Sequence, residues 1–177
     1  MPRKPPRYDV PNAAPEPLRL VQEFVNTIDL EHEREWLTAW LERQGAPPAP
    51  GDLDHAREVR EALRELLYAN NGQAVKGDPV ATLNPAARAA GLAVDFERQE
   101  LVPQAGGLDG ALGRVLAVAF TAMADGTWLR LKACRNHGCR WAFYDYSRNR
   151  SASWCSMQLC GNRTKTRAYR ARRAARS

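Results

Sequence analysis

All four cysteines of the chain lie in two matched segments near its C-terminal end. Four residues separate Cys134 from Cys139, four separate Cys155 from Cys160, and fifteen lie between the two pairs. Two short turns that each present two thiolates can hold one tetrahedral metal ion when the chain between them folds as a hairpin. Zinc suits four sulfur ligands because it has a filled d-shell and no redox chemistry. The spacing therefore predicts one structural zinc ion bound by these four cysteines.

Two disulfides, or four unrelated buried thiols, are the alternative for these cysteines. The N-terminal residues do not resemble a secretory signal, so we expect a cytoplasmic protein, in which disulfides are disfavoured. His137 lies inside the first turn and could replace a cysteine, but with four cysteines available we expect it to remain unligated. Four thiolates leave zinc no open position for water, and no catalytic motif occurs elsewhere, so we expect no enzymatic activity.

The charge of the chain is divided unevenly along its length. Lys and Arg number 26 against 20 Asp and Glu, a net charge of +6. From Lys132 to the end there are twelve basic residues and one acid, Asp145, which gives +11, whereas residues 1–131 carry fourteen basic and nineteen acidic residues, which gives −5. Such a concentration of positive charge attracts polyphosphate, so the C-terminal quarter is the predicted nucleic-acid contact, with duplex DNA as the expected partner.

The segment from Cys155 or Gly161 to Arg173 is predicted to be a basic helix. Its long cationic side chains fall on two sides, and no acid stands four positions away to pair with them. Arginine can bind phosphate through two donors and can also read guanine edges. The candidate nucleic-acid contacts are Arg163, Lys165, Arg167, Arg170, Arg172 and Arg173. A frayed cationic tail without a partner is the alternative.

The residues around the second cysteine pair resemble the CGNR zinc finger family, which is named for the residues found here at 160–163. The resemblance covers about residues 132–175 and includes the run at 141–149, which is similar to the hairpin segment of the family. It implies a zinc finger that binds DNA through its basic residues. Residues 20–27 resemble the start of ABATE, the usual N-terminal domain of the family, which is described for bacterial stress-induced transcription regulators.

The chain is predicted to be α+β and mainly α: a disordered arm (1–17), a helical domain with a small β-hairpin (18–127), and a zinc finger of treble-clef-like or knuckle type that ends in a basic helix (128–177). Predicted helices cover 17–29, 31–43, 52–70, part of 79–91 and 108–125, the hairpin covers 92–96 and 100–104, and a strand at 128–132 leads into the finger. The helices have apolar faces of their own, so we expect them to stay folded without zinc.

Several side chains carry specific expectations. The outer face of the third helix should be solvated, with its charges pairing along the helix: Arg57, Glu58, Arg60, Glu61, Arg64 and Glu65. The fifth helix should be the central one and bury Phe120 and Met123. No run of eighteen apolar residues occurs, so no membrane span and no membrane partner is expected. Asn26 and Thr27 should make structural hydrogen bonds, Asn84 could cap the fourth helix, and Tyr144 or Tyr146 should be the exposed ring of the finger.

The resemblance, together with the cysteine pairs and the basic segment, implies a bacterial transcription regulator whose N-terminal domain senses a small molecule or binds a partner. An RNA or single-strand binder that uses the same finger is the first alternative. A protein-interaction module with a structural zinc is the second, and a small-molecule enzyme in the N-terminal domain is a more distant third. The oligomeric state and the target sequence are not predicted.

Overall fold

The computed structural model describes residues 12–162, 164 and 166. These residues form, in chain order, α1 (Arg19–Val25), β1 (Ile28–Asp29), β2 (Arg34–Glu35), α2 (Leu37–Arg43), α3 (Asp52–Asn70), α4 (Pro79–Ala89), β3 (Leu92–Asp95), β4 (Glu100–Pro103), α5 (Gly107–Asp125), a 3₁₀ turn (Thr127–Arg130), β5 (Leu131–Ala133), β6 (Ala142–Tyr144) and a π-turn (Met157–Gly161). The strands pair as antiparallel hairpins, β1 with β2, β3 with β4 and β5 with β6. The α+β, mainly helical fold class is confirmed.

One apolar core joins the helices to the zinc finger. Buried side chains of α1, α2, α3 and α5 pack together with Leu131 and Ala133 of β5 and with Ala142 and Tyr144 of β6. The β5–β6 hairpin therefore packs against the helical part. Its residues are buried on both of its faces. A second, smaller apolar cluster surrounds the four cysteines.

The first two helices are shorter than predicted. α1 ends at Val25 and α2 begins at Leu37, and between them Ile28 pairs with Glu35 in a short hairpin. The helix stops because Asn26 turns its side chain to the backbone of β6, while Thr27 accepts the backbone N–H of Trp36. The expectation of structural hydrogen bonds at Asn26 and Thr27 is confirmed.

α3 has the predicted bounds, but the prediction of a fully solvated outer face is wrong. Arg60 and Arg64 are buried, with 2% and 0% of their surface exposed. Arg64 donates to the backbone oxygens of Val25 (2.5 Å) and Arg140 (2.9 Å) and to Glu61 (2.9 Å). Burial is tolerated because each guanidinium is paired and hydrogen-bonded.

α4 and the β3–β4 hairpin lie where they are predicted, but the cap of α4 does not. The Asp78 carboxylate accepts the N–H groups of Val80 and Ala81, and Asn84 lies inside the helix. Asp78 precedes Pro79, which is a favourable first helical residue because it lacks an N–H to satisfy.

α5 packs centrally, but the prediction that it buries Phe120 and Met123 is wrong. These side chains are 60% and 40% exposed, and Ala119 and Ala122 face the core instead. The close approach of α5 to its neighbours favours small residues, since a Cβ at Gly113 would lie 2.6 Å from the Cβ of Ala90. Among the described residues, α5 is also long and apolar enough to cross a membrane by length and composition, yet half of it is buried within the chain, as in the core helix of a globular protein.

Two connecting segments differ from the prediction. Residues 12–14 of the expected disordered arm are packed: Ala14 is fully buried, and the Asn12 backbone oxygen accepts the N–H of Tyr144 at 2.8 Å, while residues 15–17 are exposed. Residues 1–11 of that arm lie outside the described residues. The predicted strand at 128–132 is a 3₁₀ turn followed by β5, with Trp128 buried in the main core.

Candidate metal centre

The first cysteine pair lies in the loop of the β5–β6 hairpin. Cys134 directly follows β5, and its N–H donates to the oxygen of Trp141 at 3.0 Å, which extends the pairing of Ala133 with Ala142 by one step. The chain then turns tightly, and Cys139 N–H donates to the Asn136 oxygen at 2.8 Å. Both sulfurs are thereby held at one end of the hairpin.

The second pair is positioned by the π-turn. Ser156 precedes this turn, and its hydroxyl accepts the N–H of Leu159. The Ser156 backbone oxygen accepts the N–H of Cys160 at 2.9 Å, which brings Cys160 back towards Cys155. Asn162, Thr164 and Thr166 continue from the π-turn in helical geometry. A hairpin loop that faces the start of a helical segment is a treble-clef-like arrangement.

The four sulfur atoms fit one zinc ion. They all lie within 4.8 Å of one another and are buried, and the Cys139–Cys155 and Cys155–Cys160 sulfur pairs are 3.7 Å apart. A tetrahedral zinc with bonds of about 2.3 Å separates its sulfurs by about 3.8 Å. All four cysteines are free, and 3.7 Å is far too long for a disulfide bond. The cysteines therefore hold one structural zinc ion.

The protonation of the thiols is interdependent. A hydrogen bond with Cys139 lowers the pKa of Cys134, and a hydrogen bond with Cys134 lowers the pKa of Cys160. The same neighbour, Cys134, raises the pKa of Cys139 and of Cys155. Buried thiolates this close repel one another, so all four can be ionised together only around a cation. Zinc binding must therefore release protons and weaken as the pH falls.

Aromatic side chains and one amide surround the cysteines. Trp141, Phe143 and Trp154 pack against the cluster, and the Asn136 amide approaches the Cys160 sulfur at 3.6 Å. His137 is exposed and lies outside the group of four metal ligands among the described residues. Its Nδ1 lies 2.9 Å from the hydroxyl of Tyr68, so this side chain links α3 to the first turn.

Polar side chains of the helical part bind the backbone of the finger, and sequence reasoning missed most of them. Asn26 accepts the N–H of Ala142 (2.8 Å) and donates to its oxygen (2.9 Å), in the manner of a neighbouring strand. Asn71 donates to Ala133 and Ser153. For the buried arginines of α3, the sequence did contain an indication. Arg60 and Arg64 lie four and eight positions after the buried Ala56 and so share its side of the helix.

Of the two exposed-ring candidates, Tyr146 is exposed and Tyr144 is buried. The six candidate nucleic-acid residues, Arg163, Lys165, Arg167, Arg170, Arg172 and Arg173, lie outside the described residues. Asn162 directly precedes these six residues and Thr166 lies among them. Both are described and exposed, and the Thr166 hydroxyl donates to the Asn162 oxygen at 2.9 Å.

Two family models match the sequence, one for each part of the chain. The ABATE family, described as "Putative stress-induced transcription regulator", matches residues 18–126, and the CGNR zinc finger family matches residues 130–173. No curated protein is significantly similar to the chain. The ABATE match covers more than half of the sequence and the CGNR match contains all four cysteines. The chain thus belongs to the ABATE family and carries a CGNR zinc finger at its C-terminal end.

Proposed function

We propose that this chain is a transcription regulator that binds duplex DNA through the basic surface of its zinc finger. The observation that carries the proposal is the burial of the single acid after residue 131. The Asp145 side chain is fully buried and pairs with Lys132 at 2.7 Å. The described residues from 132 onwards therefore expose no carboxylate, and the sequence contains no acid after Asp145. The positive charge of the finger is left for a polyanion outside the chain.

The helical part provides a contrast within the same molecule. Its buried or half-buried arginines have acidic partners: Arg57 pairs with Glu35 at 2.6 Å, and Arg64 pairs with Glu61 at 2.9 Å. In the finger, Arg140 pairs with Glu65 of α3, whereas Arg148 and Arg150 have no carboxylate partner among the described residues. A surface whose only role is solubility would carry both positively and negatively charged side chains.

The zinc ion has a structural role in this proposal and no part in turnover. Four thiolates complete a tetrahedral shell, so no position is open for a water molecule or a substrate. The family description supports regulation as the process, and the charge of the finger supports nucleic acid as the partner.

Titration of fluorescent duplex DNA, single-stranded DNA and RNA of equal length with the zinc-loaded chain, at several salt concentrations, tests the proposal. About four phosphate contacts predict a log–log salt slope of about −3 to −4 for the duplex. The double variant Arg167→Gln/Arg170→Gln should flatten this slope by about 1 to 2 units. Tighter binding to RNA or to the single strand would favour the alternative partners. Absence of binding at low salt, with zinc in place, would favour a protein-interaction module.

A groove in the N-terminal domain supports a ligand-binding role as a second function. It has a volume of about 390 Å³ and lies between the β3–β4 hairpin and α5. Its walls are mostly apolar, with Leu20, Val102 and Val118 among them, and Arg98, Glu100 and Arg114 also line it. Arg98 lies 3.8 Å from Glu100 and Arg114 donates to the Gln44 oxygen, so an apolar molecule without net charge matches this lining. Binding of such molecules should be lost in Val118→Glu and kept in the exposed variant Val80→Glu, as measured by calorimetry.

A further inference from the structure

A loop of the finger between β6 and the second cysteine pair is built around a buried carboxylate. Asp145 Oδ1 accepts the N–H of Ser147 at 2.9 Å, and Oδ2 accepts the N–H of Ala152 at 3.0 Å. One side chain therefore closes both ends of the segment 145–152, which we call the Asp145 loop. Within it, Ser147 accepts two further N–H groups, through its backbone oxygen from Arg150 and through its hydroxyl from Ser151.

Two cationic side chains, Lys132 and Arg130, donate hydrogen bonds to the Asp145 loop. Lys132 is buried, and its ammonium donates to Asp145 (2.7 Å), to the oxygen of Arg150 (2.5 Å) and to the oxygen of Ala152 (3.3 Å). Arg130 donates to the backbone oxygens of Asp145 and Ser147. The three bonds from Lys132 use all of its ammonium hydrogens. Together with the bonds from Arg130, they hold the backbone of the loop in place.

The Asp145 loop presents two arginines without partners. The described finger residues after 131 contain five cations, of which Lys132, Arg135 and Arg140 each bind a carboxylate or a backbone oxygen. Arg148 and Arg150 are exposed, and among the described residues neither guanidinium has a hydrogen bond or an ion pair. The exposed Asn149 stands between them.

The backbone of the loop holds a strained residue at this position. Arg150 has a φ of +51°, in the left-handed region that a long side chain rarely adopts. Such strain persists where surrounding bonds enforce it, and it is concentrated at functional sites. Here the bond from Lys132 directs the Arg150 oxygen inwards and leaves its guanidinium at the surface.

We propose that the Asp145 loop is a second phosphate-binding element of the finger, in which Arg148 and Arg150 contact the backbone of a nucleic acid. This inference rests on the proposed function and adds a site to the basic segment after Cys160. A guanidinium binds phosphate through two parallel donors, and a loop that is already ordered loses little entropy on binding. Backbone contacts carry no base specificity, so the loop orients the finger on the duplex.

The test compares the zinc-loaded full chain with Arg148→Gln/Arg150→Gln and with Arg43→Gln/Arg88→Gln. The second variant removes the same charge from two exposed arginines of α2 and α4. Binding of a 20-base-pair duplex of random sequence, a length chosen at about two helical turns, is titrated at several salt concentrations. We expect the loop variant to flatten the salt slope by about 1 to 2 units and to weaken binding at 0.1 M salt by roughly tenfold or more. The control variant should leave the slope unchanged.

Each other outcome overturns the inference in a distinguishable way. If the unmodified chain binds duplex and the loop variant has the same slope, the loop is not a phosphate site and the proposed function stands. If the unmodified chain binds no nucleic acid at low salt, the proposed function fails and the inference fails with it. A polyglutamate peptide is titrated in parallel with the duplex. If the loop variant loses affinity for this peptide only, the loop recognises an acidic protein. Zinc content and thermal midpoint should match the unmodified chain, because both side chains are exposed and unpaired among the described residues.

Discussion

Single buried polar residues join the two parts of this molecule. Arg64 contacts the end of α1 and the first cysteine loop at once, through the oxygens of Val25 and Arg140. Asn26 binds both backbone groups of Ala142. Each of these contacts satisfies a backbone group that burial would otherwise leave without a partner, and such groups are costly to expose to an apolar environment.

Arg64→Met should destabilise the chain by about 3 to 5 kcal/mol, because it removes the donors to the oxygens of Val25 and Arg140 and the buried charge that pairs with Glu61. Urea unfolding of the zinc-loaded protein measures this difference. Arg57→Met is the matched control on the same helix: its side chain is 41% exposed, so its ion pairs should contribute less than about 1 kcal/mol. Equal effects of the two substitutions would contradict the structural role of Arg64.

Replacement of any single cysteine by serine, for instance Cys160→Ser, should abolish stoichiometric zinc binding. A hydroxyl is a poor zinc ligand at neutral pH, and the remaining thiolates no longer complete the tetrahedron. Metal analysis of the purified variants decides this. His137→Ala should retain one zinc per chain, since the imidazole binds Tyr68 and lies outside the sulfur cluster. Full zinc occupancy in Cys134→Ser would contradict the assignment of the ligands.

At the scale of elements, the Asp145 loop and α3 show how a small finger gains order. The finger has a limited apolar cluster of its own, and small metal domains have too little core to fold alone. α3 supplies part of the missing support: its Asn70 donates to the oxygens of Trp128 and Leu131 at 2.9 Å. The finger is therefore ordered by its contacts with the helical part as well as by its own apolar cluster.

The Lys132–Asp145 pair should make stability depend on pH in a defined direction. Burial disfavours the ionised carboxylate, but hydrogen bonds from Lys132 and Ser147 outweigh it, so the pKa of Asp145 is lowered. A lowered folded-state pKa stabilises the protein above the unfolded value of about 4, and this stabilisation is lost as the pH falls through the folded value. Asp145→Asn should cost about 3 to 5 kcal/mol at pH 7, because it leaves Lys132 buried without a counter-charge.

Urea unfolding of the Asp145→Asn variant and the unmodified chain between pH 7 and about pH 3 measures this dependence. The difference between the two proteins should be constant above about pH 5 and should narrow below about pH 4. Zinc content is measured at each pH, and only conditions in which both proteins retain one zinc ion per chain are compared. The exposed variant Glu97→Gln serves as the control. A difference that does not change with pH would show that the amide replaces the carboxylate without electrostatic loss.

At the scale of the whole molecule, we expect zinc binding to be coupled to the folding of the helices. Leu131, Ala133, Ala142 and Tyr144 belong to the main core, so a finger without metal would withdraw apolar surface and hydrogen-bond partners from α1 and α3. The expectation from the sequence was that the helices stay folded without zinc. The shared core argues for the opposite outcome.

Removal of zinc by a chelator should therefore reduce the protection of amides in α3 (Asp52–Asn70) as well as in the finger. Hydrogen exchange with and without chelator measures this, and re-addition of zinc should restore the protection. Protection that stays unchanged throughout α1 and α3 would show that the helices are an independent folding unit.

The sequence by itself determined those features whose cause is local. The zinc site follows from two matched cysteine pairs, since four free thiols at this spacing suit one metal ion. The bounds of α3 and the β3–β4 hairpin follow from periodicity and turn residues, and the charge division follows from composition.

The tertiary structure alone decided what depends on distant partners. Arg64 was predicted to be a surface residue because arginine is usually exposed and its acceptor, the oxygen of Arg140, lies 76 positions away. Only its place in the four-residue row after Ala56 indicated burial. Phe120 is exposed because the neighbours of α5 come close enough to prefer alanine on its inner face. The arginines of the Asp145 loop are free among the described residues because the one acid nearby is buried under the loop with Lys132. Pairing at long range, and not residue type, sets which charges this molecule presents to a partner.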